Sequence, residues 1–385
     1  MNLTFNEDQE ELRRSARAFL AEHSSSERVR EAMVTDAGFS AEVWARISGE
    51  MGWPALLFPE EHGGFGLTQV DLVALLEEMG RQLLCSPFFS SIVLAGQAIQ
   101  LAGHEAQKAR WLPALASGET IATLALTEAS GRYDAEGITL TARRDGEELI
   151  LDGTKTYVPD GGVADLFVVA VREEGTELTD GIRLVLVPAG TDGVTASLLP
   201  TVDQTRRQGE VVFRGARVPT ENLLDAGDAG WPVLSHLLDL AAIALAAEQI
   251  GSAQAILEQT VAYAQERVQF GRPIGSFQAV KHKCADMCVA VESARSAVYY
   301  AAAAAAADSE ELPALASMAK AYCSDAFFSV AADAIQVHGG VGFTWEYDCH
   351  LYFKRAKSTE SFLGDTVWHR EQVARRIGIG TENPS

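Results

Sequence analysis

A short stretch that follows a long apolar helical pattern carries side chains suited to a phosphorylated, planar ligand. Residues 266–278 read Glu-Arg-Val-Gln-Phe-Gly-Arg-Pro-Ile-Gly-Ser-Phe-Gln. Arginine binds phosphate through paired hydrogen bonds, and the stretch contains both Arg267 and Arg272. Gly271 and Gly275 allow the backbone to turn closely around a ligand. The stretch therefore predicts a cofactor-binding segment, and the alternative is an ordinary loop between two helices.

A second segment favours the cofactor interpretation. Residues 336–344 read Gln-Val-His-Gly-Gly-Val-Gly-Phe-Thr and follow a helical pattern over residues 317–335. One glycine at a helix end is a common C-cap. Gly339, Gly340 and Gly342 exceed what capping requires, so they indicate a backbone that approaches a ligand closely.

Together the two segments resemble the acyl-CoA dehydrogenase family of flavoproteins. The C-terminal helical domain of that family carries an R-x-x-F-G-x-x-I-x-x-x-Q element and a later Q-x-x-G-G-x-G element. The resemblance covers nearly the whole chain and implies FAD as cofactor, acyl-CoA as substrate and assembly as a dimer of dimers, with a homotetramer as the default and a heterotetramer as the alternative. It implies that both elements contact FAD, from different subunits, through Arg267, Gln269, Phe270, Arg272 and Gln278 in the first element and Gln336, Gly339 and Gly340 in the second.

The flavin ring is expected to lie against the middle third of the chain. The family's T-E-P-x-x-G-S stretch is matched by residues 126–132, which read Leu-Thr-Glu-Ala-Ser-Gly-Arg and lack the proline and the Gly-Ser step. A family element with an aromatic residue two places before a threonine appears as Tyr-Val-Pro, so the aromatic is kept and the hydroxyl is not. The ring contacts that the resemblance implies are Leu126, Thr127, Tyr157 and Val158.

The implied reaction also needs a base that removes the α-proton of the acyl thioester, a hydride acceptor and donors for the enolate oxygen. Most family members place a glutamate at the position that corresponds to Leu363, and some place it at the position of Ala241. Neither residue is a carboxylate, so the base is predicted to be displaced.

Four carboxylates remain as candidates, and the first two are favoured: Asp365, Glu248, Glu360 and Asp239. Asp365 lies two residues from the usual position, but it also has the position of a helix N-cap. Glu248 lies two helical turns from Ala241 and so on roughly the same face, with an inter-helix hydrogen bond as its alternative role.

Three hypotheses follow from the missing glutamate. The chain is a working FAD-dependent dehydrogenase that forms a 2,3-enoyl-CoA, with a steroid side-chain thioester as one possible substrate, because residues 350–357 look like those of actinobacterial-type relatives. Alternatively, it is a flavin-sharing or non-catalytic subunit of a heterotetramer with a paralogous subunit that contributes the base. The third hypothesis is a non-dehydrogenating flavoprotein that processes acyl-CoA. By resemblance, electron-transfer flavoprotein is the expected electron acceptor.

Composition limits the class of protein. The chain of 385 residues has a formal charge of −22 and a pI near 4.7, which argues against nucleic-acid and anionic-membrane partners. Five scattered cysteines and the lack of a signal-peptide pattern indicate the cytoplasm. Cys284, Cys288 and His282 have no second ligand pair at metal spacing, so no metal site is predicted. Residues 301–307 are the longest apolar run noted, too short to span a membrane.

These functional segments need an α+β scaffold of three parts. Helical spacing over residues 1–119 predicts an α-helical domain, with Asn6 capping its first helix and another helix beginning near Thr68. Period-two runs at 164–171, 182–187 and 210–213 predict a middle β-sheet domain, a barrel or sandwich, over residues 120–226. Helical spacing returns over residues 227–385 and predicts a four-helix bundle.

Overall fold

A computed structural model gives the fold, and it describes residues 4–224 and 230–379. The chain forms two compact units. Unit 1 comprises Met1–Glu31, Thr68–Leu84 and Asp239–Ser385, and unit 2 comprises Ala32–Leu67 and Cys85–Leu238. The predicted boundary at residues 226 and 227 lies outside the described residues, so the exact division into three domains stays a prediction.

Helices make up most of unit 1 and the N-terminal part of unit 2. Asn6 caps the first helix through a reciprocal pair of hydrogen bonds with Gln9, as the sequence predicted for Asn6. Thr68 caps the fourth helix in the same way with Asp71, at the point where the sequence predicted that a helix begins. The α-helices of the described residues are α1 (Glu7–His23), α2 (Ser26–Met33), α3 (Ala41–Gly49), α4 (Gln69–Arg81), α5 (Gln97–Ala102), α6 (Glu105–Ala116), α7 (Gly230–Glu266), α8 (Gln278–Ala306), α9 (Leu312–His338), α10 (Cys349–Ser361) and α11 (Thr366–Arg376).

Unit 2 is built on one mixed sheet of eight strands, in the order β6-β7-β3-β2-β4-β5-β8, with β1 parallel to β4. The three runs predicted as strands lie in β4, β5 and β7. The strands are β1 (Ala122–Ala125), β2 (Thr141–Asp145), β3 (Glu148–Pro159), β4 (Leu166–Glu173), β5 (Ile182–Pro188), β6 (Val194–Leu198), β7 (Gln208–Pro219) and β8 (Leu223–Leu224), and a separate hairpin in unit 1 joins β9 (Val268–Gln269) to β10 (Arg272–Pro273).

The sheet carries its own apolar core. Valine, leucine and phenylalanine side chains from β3, β4, β5 and β7 pack together, and Phe167 and Phe213 are almost fully buried. Branched and aromatic side chains suit a pleated surface, so the composition of these runs explains why they form strands. This core holds the ends of β1 and β3 in place.

Two glycines allow α4 and α7 to cross at very short distance inside unit 1. A Cβ atom on Gly251 would lie 1.8 Å from the carbonyl oxygen of Glu77, and one on Gly80 would lie 2.1 Å from the carbonyl oxygen of Glu248. Since neither backbone oxygen can move without breaking its helix, only glycine fits at both positions. The crossing fixes α7 against the N-terminal helices.

Helix α7 corrects the expectation about apolar runs. Among the described residues it is the one helix long and apolar enough to cross a membrane by length and composition, whereas the sequence had pointed to residues 301–307 as the longest apolar run. A helix remains apolar overall when a few charged residues interrupt it, whereas a search for uninterrupted apolar runs does not find such a helix. Within its most apolar part 83% of the residues are buried in the protein, which is the pattern of a core helix.

Substitution of Gly251 by alanine tests the crossing. We expect Gly251→Ala to lower the free energy of unfolding by about 3 kcal/mol, at the upper end of the usual cost of overpacking, because the new methyl group meets a backbone oxygen. Gly49→Ala is the control, since a Cβ there meets nothing within 4 Å. Thermal unfolding followed by circular dichroism measures both, and equal midpoints for the two variants would contradict the crossing.

Candidate functional site

The segment expected to face a flavin ring leaves the end of β1 in unit 2. Leu126 and Thr127 are both buried. The Thr127 Oγ1 hydroxyl donates to the carbonyl oxygen of Thr156 at 2.6 Å, and the Thr156 amide donates to the carbonyl oxygen of Thr127 at 2.8 Å. This reciprocal pair ties the segment to the far end of β3.

A β-bulge in β3 brings Tyr157 to the surface. Lys155 pairs with Val211 on β7 and Val158 pairs with Gly209, so two residues of β3 stand opposite one residue of β7. Tyr157 has φ of 56°, which is unusual for an aromatic residue, and 46% of it is exposed, whereas Val158 is buried. The aromatic face therefore stands out from an otherwise buried strand end.

A buried ion pair lies beneath this segment, and sequence reasoning missed it. The Lys155 ammonium is fully buried and donates to the Glu128 carboxylate at 2.7 Å and to the Leu126 carbonyl at 3.0 Å. Burial lowers the pKa of Lys155 to about 8, although Glu128 opposes this shift. Burial raises the pKa of Glu128, but Lys155 and further hydrogen bonds outweigh it, so the pKa lies below its usual value. Both groups are charged at neutral pH.

In unit 1, the arginine-rich stretch forms the two-residue turn of the β9–β10 hairpin. Phe270 and Gly271 have φ values of 53° and 77°, the left-handed pair that such hairpins require. Phe270 is 92% exposed. Arg267 makes no ion pair within the described residues, and the Arg272 guanidinium lies over the Phe277 ring at 4.2 Å. Gln269 and Gln278 are exposed on the same stretch.

The triple-glycine segment forms a 3-10 turn after α9. Gly339 ends the helix with φ of 64°, and a Cβ atom on Gly339 or Gly340 would meet nothing within 4 Å. Gln336 is exposed beside them. Together with the hairpin, unit 1 therefore displays an exposed aromatic ring, two arginines and open glycine backbone, which fits the adenosine and pyrophosphate parts of a dinucleotide cofactor.

The position of the expected catalytic glutamate is a strained turn after α10. Leu363 is buried and has φ of 62°, and Gly364 follows with φ of 99°. Asp365 is exposed and caps α11, because its carboxylate accepts the Trp368 amide at 2.7 Å. The N-cap alternative for Asp365 therefore describes its contact in this structure, whereas its role as a base stays a prediction.

Two buried side chains hold this turn from beneath. The Lys320 ammonium donates to the Ser324 hydroxyl at 2.9 Å and to the carbonyl oxygens of Gly364 at 3.1 Å and Glu360 at 3.3 Å. His369 Nε2 donates to the Leu363 carbonyl at 2.9 Å. Burial lowers the pKa of Lys320 to about 7 and that of His369 to about 3, so the imidazole is neutral. Neither residue was predicted from the sequence.

The remaining candidate bases occupy structural positions. Glu248 is buried on α7 at the crossing with α4. Asp239 bonds Arg376 at 2.8 Å, and burial raises its pKa to about 6. Glu360 pairs with Lys357 at 2.7 Å. Within the described part of unit 1, Asp239, Glu360 and Asp365 thus each have a contact of their own.

Comparison with known proteins identifies the architecture. Residues 6–119 match the model of the acyl-CoA dehydrogenase N-terminal domain, residues 123–216 that of the middle domain and residues 228–378 that of the C-terminal domain. The predicted fold class, with N-terminal helices, a middle sheet and C-terminal helices, is confirmed.

Relatives of similar length match the chain from end to end. Acyl-CoA dehydrogenase IpdE2 of Mycolicibacterium smegmatis is 35% identical over 370 residues, which cover 96% of this chain and 98% of the relative. The solved ChsE4-ChsE5 complex from Mycobacterium tuberculosis has a chain with 30% identity and a TM-score of 0.90, with full coverage of both chains. A variant of the Tcur3481-Tcur3483 steroid ACAD has 30% identity and a TM-score of 0.86, covering 96% of this chain and 98% of the other.

The burial of Lys320 predicts a pH-dependent stability. Above about pH 7 the folded chain releases the Lys320 proton, while the unfolded chain keeps it up to the ordinary value of 10.5. The unfolded state then binds more protons, so the free energy of unfolding rises with pH in this window. Lys320→Met lacks this component. Between pH 7 and 9, we expect the free energy of unfolding of wild type to rise relative to that of Lys320→Met by up to about 1.4 kcal/mol per pH unit.

Urea denaturation of wild type and Lys320→Met at several pH values measures this difference. Lys155 is present in both proteins, so its own titration cancels. A difference in unfolding free energy that stays constant from pH 6 to pH 9 would contradict a depressed pKa at Lys320.

Proposed function

This chain belongs to the acyl-CoA dehydrogenase family, and we propose that it takes part in the FAD-dependent α,β-dehydrogenation of an acyl-CoA thioester together with a paralogous chain that supplies the base. FAD is the cofactor that the family membership implies. When bound, FAD supplies the hydride acceptor for the reaction. The residues of this chain bind and orient that group.

The observation that carries the proposal is the turn after α10. Its backbone is held firmly by Lys320 and His369, yet the side chain it presents is Leu363, which cannot accept a proton. The nearest carboxylate, Asp365, is exposed and committed to the N-terminus of α11. General-base catalysis needs a carboxylate poised at the substrate α-carbon. A firmly held turn that presents leucine where the family resemblance implies a glutamate therefore supports a division of labour between two chains.

The relatives support the same division. Two of the similar solved structures are described by pairs of proteins, the ChsE4-ChsE5 complex and the Tcur3481-Tcur3483 steroid ACAD. Unit 1 also exposes Phe270 almost completely, as expected for a surface that a second chain covers. We propose that a sister chain, rather than a second copy of this one, completes the assembly.

Each segment has a role in this proposal. Tyr157 and the main chain at Leu126 and Thr127 contact the flavin ring, with Val158 packed beneath. The cations Arg267 and Arg272 neutralise the pyrophosphate, and Phe270 covers the adenosine. The remaining contacts, from amide side chains and open glycine backbone, are Gln269, Gln278, Gln336, Gly339 and Gly340.

The substrate and the electron acceptor rest on similarity alone. A steroid side-chain thioester is the proposed acyl-CoA, because one similar structure is a steroid ACAD. Electron-transfer flavoprotein is the proposed acceptor, as is usual for the family. A non-dehydrogenating reaction stays an alternative, because one relative, 30% identical over 382 residues, is named acryloyl-CoA reductase (NADH).

Anaerobic flavin spectra test the proposal. We expect the purified chain, supplied with FAD, to show no bleaching of the flavin absorbance with short, long or steroid-linked acyl-CoA esters, because it lacks a base. Mixed with a paralogous chain that has the glutamate, it is expected to give a complex whose flavin bleaches with one class of ester. Bleaching of the flavin in this chain alone would overturn the need for a sister chain.

Substitutions at Asp365 separate a cap from a base. Asparagine caps helices as well as aspartate does but cannot remove a proton, so Asp365→Asn is expected to keep both the stability and the bleaching rate of the complex. Asp365→Ala is expected to lose about 1 kcal/mol of stability through the lost cap. If Asp365 were the base, Asp365→Asn would slow bleaching by at least about 100-fold. Stopped-flow absorbance and thermal unfolding provide the two readouts.

A further inference from the structure

The bulge that exposes Tyr157 interrupts the ladder between β3 and β7, so its main-chain groups need other partners. Buried backbone groups without hydrogen bonds are costly, and native proteins rarely leave them unpaired. The partners of Thr156 come from the segment after β1: Thr127 accepts the Thr156 amide and donates its hydroxyl to the Thr156 carbonyl. The conformation of the bulge thus depends on where residues 126–128 lie.

The position of residues 126–128 depends in turn on Lys155 and Glu128. Lys155 bonds the Leu126 carbonyl and the Glu128 carboxylate. The same carboxylate accepts the amides of Thr139 and Leu140, each at 2.8 Å, and the Thr139 hydroxyl also donates to it. One buried ion pair therefore joins three segments that are distant in sequence: residues 126–128, residues 139–140 and the bulge at 155–157.

Stability is a weak reason for such a pair. Removing two charges from water costs several kcal/mol, and apolar side chains of similar volume often replace a buried ion pair without loss of stability. Apolar packing, however, is not directional. The charged groups make five bonds to defined atoms of the three segments, and they fix both the main chain of residues 126–128 and the bulge that presents Tyr157.

We infer that Lys155 and Glu128 are positioning residues for the flavin, acting through the Leu126–Glu128 backbone and through Tyr157 without touching the cofactor themselves. This inference rests on the proposed binding of FAD. It adds to that proposal two residues whose side chains are buried within unit 2 and whose loss should be visible in the flavin as well as in the stability of the fold.

Flavin binding to Lys155→Met tests the inference. Titration of FAD, followed by quenching of its fluorescence, is expected to show at least tenfold weaker binding, and the visible absorbance of the remaining bound flavin is expected to move towards that of free FAD. Glu128→Gln keeps the size and part of the hydrogen bonding of the side chain. It is a second variant in case Lys155→Met does not fold, and the same effects are expected in smaller measure.

Phe213→Leu is the matched control. Phe213 is buried in the core of the same sheet and its side chain has no polar atom that could bond the ion pair, so the variant should lose thermal stability while binding FAD with wild-type affinity and spectrum. A flavin spectrum that moves in Phe213→Leu as much as in Lys155→Met would show that general loosening of the sheet, and not the ion pair, is responsible. That outcome would overturn the inference.

Two further results keep the inference separate from the proposed function. If wild type binds no FAD, alone or with a paralogous chain, the proposed function fails before any variant is compared. If wild type binds FAD and both variants bind it equally well with an unchanged spectrum, the proposed function stands and the positioning role is wrong. Hydrogen exchange at the amides of Thr139, Leu140 and Thr156 adds a readout that needs no flavin, and faster exchange in Lys155→Met but not in Phe213→Leu is expected.

Discussion

Two buried lysine side chains hold two irregular segments in place, residues 126–128 and the turn at Leu363. Among the described residues, Lys155 and Lys320 are the fully buried lysines, and each bonds main-chain oxygens of an irregular segment. Burying an ammonium group costs several kcal/mol, and this cost is offset only where the geometry of the hydrogen bonds is good. Strands and helices form hydrogen bonds among their own backbone groups, whereas carbonyl oxygens of residues 126–128 and of the Leu363 turn accept hydrogen bonds from side chains. In each unit a buried lysine therefore donates the hydrogen bonds that secondary structure does not supply.

The Leu363 turn shows that the conformation of a backbone segment can be independent of the side chain that the segment presents. Its conformation comes from bonds to backbone carbonyls, and such bonds are indifferent to the side chain at position 363. A substitution of glutamate by leucine at this position removes the base without disturbing Lys320 or His369. The left-handed conformation of Leu363, with φ of 62°, costs about 1–3 kcal/mol of strain, and a leucine side chain does not benefit from it. The proposed assembly needs the conformation of this turn and not the side chain at position 363, which accounts for the strain.

Local signals allowed much of the fold to be predicted from the sequence. Asn6 and Thr68 have the side chains of N-caps, and the period-two runs became β4, β5 and β7, because these features depend on near neighbours alone. The ion pair of Lys155 with Glu128 joins residues 27 positions apart, and the bond from Lys320 to Gly364 spans 44. No local pattern marks a lysine as buried. The same limit hid the helix crossing at Gly251, which reads in the sequence as an ordinary glycine inside a helix.

In the proposed function, the exposed segments of unit 1 couple the binding of the cofactor to the association of the chains. Phe270 has a left-handed backbone conformation and an almost fully exposed ring. The free chain therefore bears the cost of both this strain and this exposure. A ligand that binds only the assembled state stabilises it according to its concentration relative to its dissociation constant. If FAD lies between this surface and a neighbouring chain, the cofactor and the neighbour each strengthen the binding of the other. Loss of flavin should then weaken the assembly, and a chain that meets no partner should hold its flavin poorly.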